Sequence, residues 1–252
     1  MRELNELPKE FEKLKNRPKN LFYKGDISLL NRAKISIVGT RRPNQYTKAR
    51  TEELSKKLAN IGYVIVSGAA MGVDAIAHKG AFPNTIAVMA NSLDIIYPAV
   101  NRALIEDIYS NALAISEYGS ATKATKYSFV HRNRLVVALG EVLIITQADL
   151  KSGSLRSFEY AKQMGKEVFV LSHRVGESLG TQKLIKDAEA KVIVDIDEFV
   201  SQFGTIEKCE DEFSFLDTPK PLKEALSIYG EELYMMELEG KVVIENLMVR
   251  KA

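Results

Sequence analysis

Seven short β-branched runs, separated by amphipathic segments, constrain this 252-residue chain more than any other feature. They read KISIVG, YVIVSG, TIAVMA, ALAISEY, EVLIIT, EVFVLS and KVIVDI, all between residues 34 and 196. Most are apolar over four or five consecutive positions, as strands buried on both faces are, instead of alternating as half-exposed strands do. Helical periodicity fills the gaps. In NQYTKARTEELSKKLANIG, Leu54, Leu58 and Ile61 share a face between Pro43 and Gly62, a breaker at each end. GVDAIAHKGAF, NRALIEDIYSN, RSFEYAKQMGK and LGTQKLIKDAEA read the same way. Strict strand–helix order predicts an α/β fold, a Rossmann-like, doubly wound, mostly parallel sheet over residues 34–204. Residues 1–33 are expected to pack on it as an N-terminal segment. The acids, glycine and prolines of GTIEKCEDEFSFLDTPKP break the periodicity. They predict an acidic linker over 205–220, followed by a small C-terminal α+β tail over 221–252. Two short helices and a β-ribbon fit that tail, at most a degenerate winged helix.

With 46% hydrophobic residues the chain can bury a substantial core. The first twenty residues contain no apolar signal-peptide core, and no stretch approaches the roughly 18 apolar residues that cross a bilayer. No membrane association and a cytoplasmic location are therefore expected. Cys209 is the only cysteine, so no internal disulfide forms, and its acidic surroundings lack a histidine to activate it.

The net charge of +2 hides an asymmetry. Residues 205–252 carry 6 Lys+Arg against 11 Asp+Glu, net −5, which leaves 29 against 22, net +7, for residues 1–204. Between Asp26 and Glu52 lie Arg32, Lys34, Arg41, Arg42, Lys48 and Arg50 without an acid, and between Glu117 and Glu141 lie Lys123, Lys126, Arg132 and Arg134. Such clusters suit a polyanionic partner or a merely solvated face.

In an open parallel sheet, ligands bind at the carboxyl ends of the strands, where helix N-termini offer unpaired N–H groups. Three loops fall there. VGTRRP supplies Gly39, Thr40, Arg41 and Arg42; VSGAAMGVD supplies Ser67, Gly68, Gly72 and a helix-capping Asp74; ADLKSGSLRS supplies Lys151, Ser152, Gly153 and Ser154. Each alone is an ordinary βα connection, but together they suit phosphate. Neither a P-loop nor a dinucleotide glycine motif is present, and no cofactor is expected. His78, His131 and His173 are too scattered for a metal site, and His78 reads as a helix residue packed near its own turn. Asp74 and Glu117, both near strand ends, are a weaker candidate carboxylate pair.

The segment KYSFVHRNRLVVALG combines these themes. Lys126, Tyr127 and Phe129 are expected in a loop on the ligand side, with Arg132, Asn133 and Arg134 opening a helix whose apolar continuation packs on the sheet. Basic groups interleaved with aromatics suit single-stranded nucleic acid, cations tracking phosphates while rings stack on bases.

Taken together, six ordered motifs resemble the DprA (Smf) family of DNA-processing proteins: FYKGD, VGTRRP, SGAAMGVDAIAH, LDIIYPAVN, FVHRNR and KSGSL. The resemblance runs from Arg17 to Val200, with Val130 in place of the family's proline and Gln147 where glutamate is usual. It implies a non-catalytic, homodimeric protein with an extended Rossmann fold that binds single-stranded DNA, protects incoming strands during natural transformation and loads the RecA recombinase onto them. By motif position, Arg41 and the Lys126/Arg132 region would contact DNA. An alternative from another class is a nucleotide-binding or nucleoside-monophosphate-processing enzyme of a related Rossmann family. KSGSLRSFE, with Glu159, loosely resembles the loop of such enzymes.

Overall fold

The computed structural model describes residues 1–204, 214–216, 218–230, 232–238 and 240–251. Residues 205–213 and 217, which make up most of the predicted linker and include Cys209, lie outside them. The chain divides into two compact units, Met1–Thr205 and Ile206–Ala252.

In the first unit, β1 (Arg2–Glu3) and β2 (Phe22–Gly25) precede β3 (Lys34–Val38), α1 (Gln45–Asn60), β4 (Val64–Ser67), α2 (Val73–Ala81) and β5 (Thr85–Val88). Then come α3 (Arg102–Asn111), β6 (Leu113–Ser116), α4 (Lys126–Leu139), β7 (Leu143–Ile145), α5 (Gly153–Gln163), β8 (Val168–Leu171), α6 (Leu179–Lys186), β9 (Lys191–Ile193) and α7 (Ile196–Ser201). Each of the seven apolar runs forms a strand. They lie in the order β6-β5-β4-β3-β7-β8-β9, all parallel, with β2 antiparallel on β6 and β1 antiparallel on β2. The fold is therefore an α/β, Rossmann-like, mostly parallel nine-stranded sheet. The chain winds outward from β3 to β6 and then restarts on the other side of β3 at β7, which puts the topological switch between those two strands.

Burial on both faces explains the uninterrupted apolar runs. Ile35 and Ile37 of β3 pack with Leu54 and Leu58 of α1 and with Val73 and Ala77 of α2. Val38, Val64 and Val66 turn to the opposite face, against Leu135–Leu139 of α4 and Phe158 of α5. Fully burying each such side chain contributes roughly 1.5–3 kcal/mol. The β2 and β1 extension escaped the sequence pattern because β2 is only half-buried and carries no apolar run.

The second unit contains β10 (Lys220–Pro221), α8 (Leu222–Tyr229), α9 (Glu232–Leu238), β11 (Val242–Glu245) and β12 (Met248–Lys251). Two helices and the β11–β12 ribbon match the expectation, and β10 adds a third antiparallel strand in the order β10-β12-β11. Its own small core comprises Leu216, Ala225, Leu233, Met236, Val242 and Val249.

His78 is a buried connector of the first unit. Its Nε2 accepts from the Ala69 N–H at 3.2 Å, so Nδ1 carries the proton and donates to Thr85 Oγ1 at 2.6 Å, which in turn donates to the Ile65 carbonyl at 2.8 Å. Burial, reinforced by the nearby Arg132 cation, lowers its pKa from 6.5 to about 3. The unfolded chain therefore takes up a proton below pH 6.5 that the folded chain refuses until about 3. Stability should fall across that window by up to about 1.4 kcal/mol per pH unit. Urea titrations of His78→Gln should show a shallower acid slope than wild type, and an unchanged slope contradicts this assignment. Ile37→Ala should lower unfolding free energy by about 2–5 kcal/mol in the same assay.

Candidate functional site

The loops that follow β3 and β7 flank the switch point, and with the start of α4 they enclose a cavity of about 670 Å³. Gly39, Thr40 and Arg41 form one wall; Lys126, Phe129, Arg132 and Asn133 of α4 form the second; Ser152, Gly153, Ser154 and Ser157 form the third. Asp74 and Tyr97 also line it.

Helix α4 starts earlier than expected. Thr125 is its N-cap: Thr125 Oγ1 accepts from the Ser128 N–H at 3.1 Å, and Ser128 Oγ accepts from the Thr125 N–H at 2.8 Å. Lys126, Tyr127 and Phe129 thus occupy the first turns of a helix, not a loop, while Arg132, Asn133 and Arg134 lie within it. Phe129 is half-buried, with the Arg41 guanidinium 5.0 Å from its ring centre and the Tyr97 ring at 5.8 Å. Arg41 and Lys126 are exposed and make no ion pair among the described residues.

The third wall is the N-terminus of α5. Its N-cap, Ser152, makes no capping hydrogen bond, and the hydroxyls of Ser152 and Ser157 are buried without a partner. The uncapped, positive end of α5 therefore faces two exposed cations across one cavity, an arrangement suited to phosphate.

Arg132 forms the cavity floor. At 3% exposure it donates from Nη1 to the carbonyls of Gly68 and Val88, leaving Nε buried without a partner. Asp74 is its counter-charge: burial pushes the Asp74 carboxyl upward in pKa, partly offset by Arg132, and burial lowers Arg132 with Asp74 opposing. Asp74 lies in the second position of α2, after the N-cap Gly72, and accepts from Ala70 N–H at 3.4 Å.

Several sequence-selected residues do other work. Ser67 is fully buried and donates to the Ile37 carbonyl at 2.7 Å. Gly68 makes room for Arg132, since a Cβ there would sit 2.1 Å from Nη1. Gly72, at φ +80°, lets its loop press on the Thr40 carbonyl, where a Cβ would fall at 2.5 Å. None of these three lines the cavity. Arg134, 4% exposed, is neutralised by bidentate bonds of 2.9 and 2.5 Å to Glu117 and also donates from Nε to the Asn16 carbonyl. Glu117 is thereby committed to Arg134 while Asp74 faces Arg132, and the expected carboxylate pair does not form. Arg42 and Lys151 are exposed, though outside the cavity lining.

Of the other cations in the acid-free stretches, Arg32 donates to Asn84 and to the Gly62 carbonyl, Lys34 pairs with Glu10 at 2.7 Å, and Arg50 pairs with Glu53. Glu159, the support for an enzyme reading, is exposed and does not line the cavity; Ser157, one turn beyond Ser154, stands there with a hydroxyl. Tyr97, Thr125 and Ser157 are polar lining residues that the sequence did not single out. Among the described residues, no group of three His, Cys, Asp or Glu could hold a metal ion, and no helix is long and apolar enough to cross a membrane.

The chain is similar to several known proteins. The structure of DNA processing protein A from Helicobacter pylori, described for its single-stranded DNA binding mode, superposes with a TM-score of 0.79 and 46% identity, over 80% of this chain and 94% of that one. DNA processing protein DprA of Streptococcus pneumoniae is 34% identical over 201 residues, 78% of this chain and 71% of that protein, and its X-ray structure gives a TM-score of 0.73. The Bacillus subtilis DprA is 39% identical over 158 residues, 61% of this chain and 53% of that protein, so the match spans about half of the latter's length. Residues 1–204 match the model of the DNA recombination-mediator protein A family, and the chain belongs to that family.

Proposed function

We propose that this protein is a non-catalytic binder of single-stranded DNA that grips the strand in the switch-point cavity. The carrying observation is the juxtaposition of Arg41 and Lys126, two exposed cations without ion-pair partners among the described residues, with the half-exposed Phe129 ring and the uncapped α5 N-terminus. The cations and the helix end hold phosphate, while Phe129 stacks on a base. In this reading Gly39, Thr40, Asn133, Ser152, Gly153, Ser154 and Ser157 supply backbone and polar contacts. Arg42 and Lys151 add long-range attraction, and Arg132 holds the floor. The cavity reads phosphate and one ring face, so binding is largely independent of sequence.

At the level of the whole protein, we place the chain in the cytoplasm as a homodimer that shields incoming single strands and passes them to the RecA recombinase. The family's role in recombination mediation supports this assignment. Residues 205–252 carry a net charge of −5, and the second unit exposes Met235 and Leu238, features that suit a protein partner better than a nucleic acid.

Titration with oligo-dT at several salt concentrations tests the central proposal. The affinity should fall with salt, with a log–log slope of about −0.7 per neutralised phosphate. Arg41→Ala and Lys126→Ala should each weaken binding and make the slope shallower by about 0.7. Phe129→Ala should cost about 1–3 kcal/mol of binding with the slope unchanged. Absence of binding at low salt contradicts the proposal.

A further inference from the structure

Helix α4 borders a second cavity, of about 650 Å³. Residues of the N-terminal segment, Arg17 and Lys19, form one bank, and Lys123, Tyr127 and His131 form the other. Thr125 lines both this groove and the switch-point cavity, so the two adjoin across the first turn of α4.

Two residues along a helix amount to about 200° of rotation, so Tyr127 and Phe129 face opposite sides of α4. Phe129 enters the first cavity and Tyr127 the second. Tyr127 is 74% exposed, which sets it apart from the half-buried Phe129. Its ring is backed by the His131 imidazole, one turn on, at 5.5 Å between centres and 17° between planes. The pair forms a flat platform whose outer face is open to solvent. His131 supports it as a neutral ring: burial and then Arg134 lower its pKa, with Glu117 opposing.

The charge of the groove is equally directional. Glu117, its acid, is already neutralised by the two bonds from Arg134. Arg17, Lys19 and Lys123 form no ion pair among the described residues, and Arg17 donates only to the Glu12 carbonyl, at 2.8 Å. A basic rim beside an open aromatic platform is the chemistry of a single nucleic-acid strand, with phosphates on the rim and a base on the ring.

We propose that this groove is a second base-stacking subsite, with Tyr127 as the platform, for the same strand that the switch-point cavity holds. It rests on the reading that the first cavity binds single-stranded DNA. The strand crosses the Thr125 turn, with one base on Phe129 and a later one on Tyr127, and α4 acts as the divider between them.

The test is oligo-dT affinity as a function of length, from about 4 to about 16 nucleotides. In wild type, affinity should rise in a step once the oligonucleotide is long enough to reach the groove. Tyr127→Ala should shrink that gain by about 5- to 150-fold, and Tyr127→Phe should restore it. The Arg17→Ala/Lys19→Ala pair should reduce the salt dependence of long oligonucleotides more than that of short ones. A gain with length that is the same in Tyr127→Ala and wild type overturns the proposal, as does equal weakening at every length. An acidic peptide that competes with long oligo-dT no better than with short also counts against a subsite specific to the longer strand. Failure of wild type to bind even the shortest oligonucleotide while binding no longer one overturns the first-cavity reading itself, and is thereby distinguished from failure of the subsite alone.

Discussion

The site is organised around one buried cation. Arg132 reaches from the middle of α4 to the carbonyls of Gly68 and Val88, at the carboxyl ends of β4 and β5, with Asp74 of α2 as its counter-charge. A buried guanidinium is costly unless its donors and charge are met, so these contacts hold α4 in one position against the strand ends. Everything the helix presents to solvent then follows: Phe129 faces the switch-point cavity, Tyr127 the groove behind it, and Lys126 stands opposite the α5 N-terminus. Gly68 belongs to the same device, because any side chain there would displace the guanidinium.

The two helix ends that meet at the cavity are treated in opposite ways. The α4 N-terminus satisfies itself through the Thr125–Ser128 capping box, whereas the α5 N-terminus leaves its N–H groups and the Ser152 and Ser157 hydroxyls idle.

The seven parallel strands were legible because burial on both faces writes them as unbroken apolar runs, a pattern that few other structures produce. The start of α4 was not. Its second half, Leu135–Leu139, is buried all round and shows no helical period, and its first turn is polar and aromatic. The signal that could have found it is Thr125 with Ser128 three residues on, a capping box with serine in place of the usual glutamate or glutamine. The charge of the 117–141 stretch misled for a spatial reason. Glu117, which bounds the acid-free segment, folds back on Arg134, so one of its four cations is silent. Likewise the glycines of the β4–α2 loop serve close packing of Arg132 and Thr40, not ligand approach. Linear sequence displays residue types at strand ends, but it does not tell which of them face one another.

The central claim, that phosphate sits between Arg41 and the open end of α5, is tested most directly by amide hydrogen exchange with and without oligo-dT. Slowed exchange is expected at Gly153, Ser154 and Leu155, together with the loop around Arg41. Protection confined to other surfaces, with these three amides unchanged at saturating oligonucleotide, would contradict it.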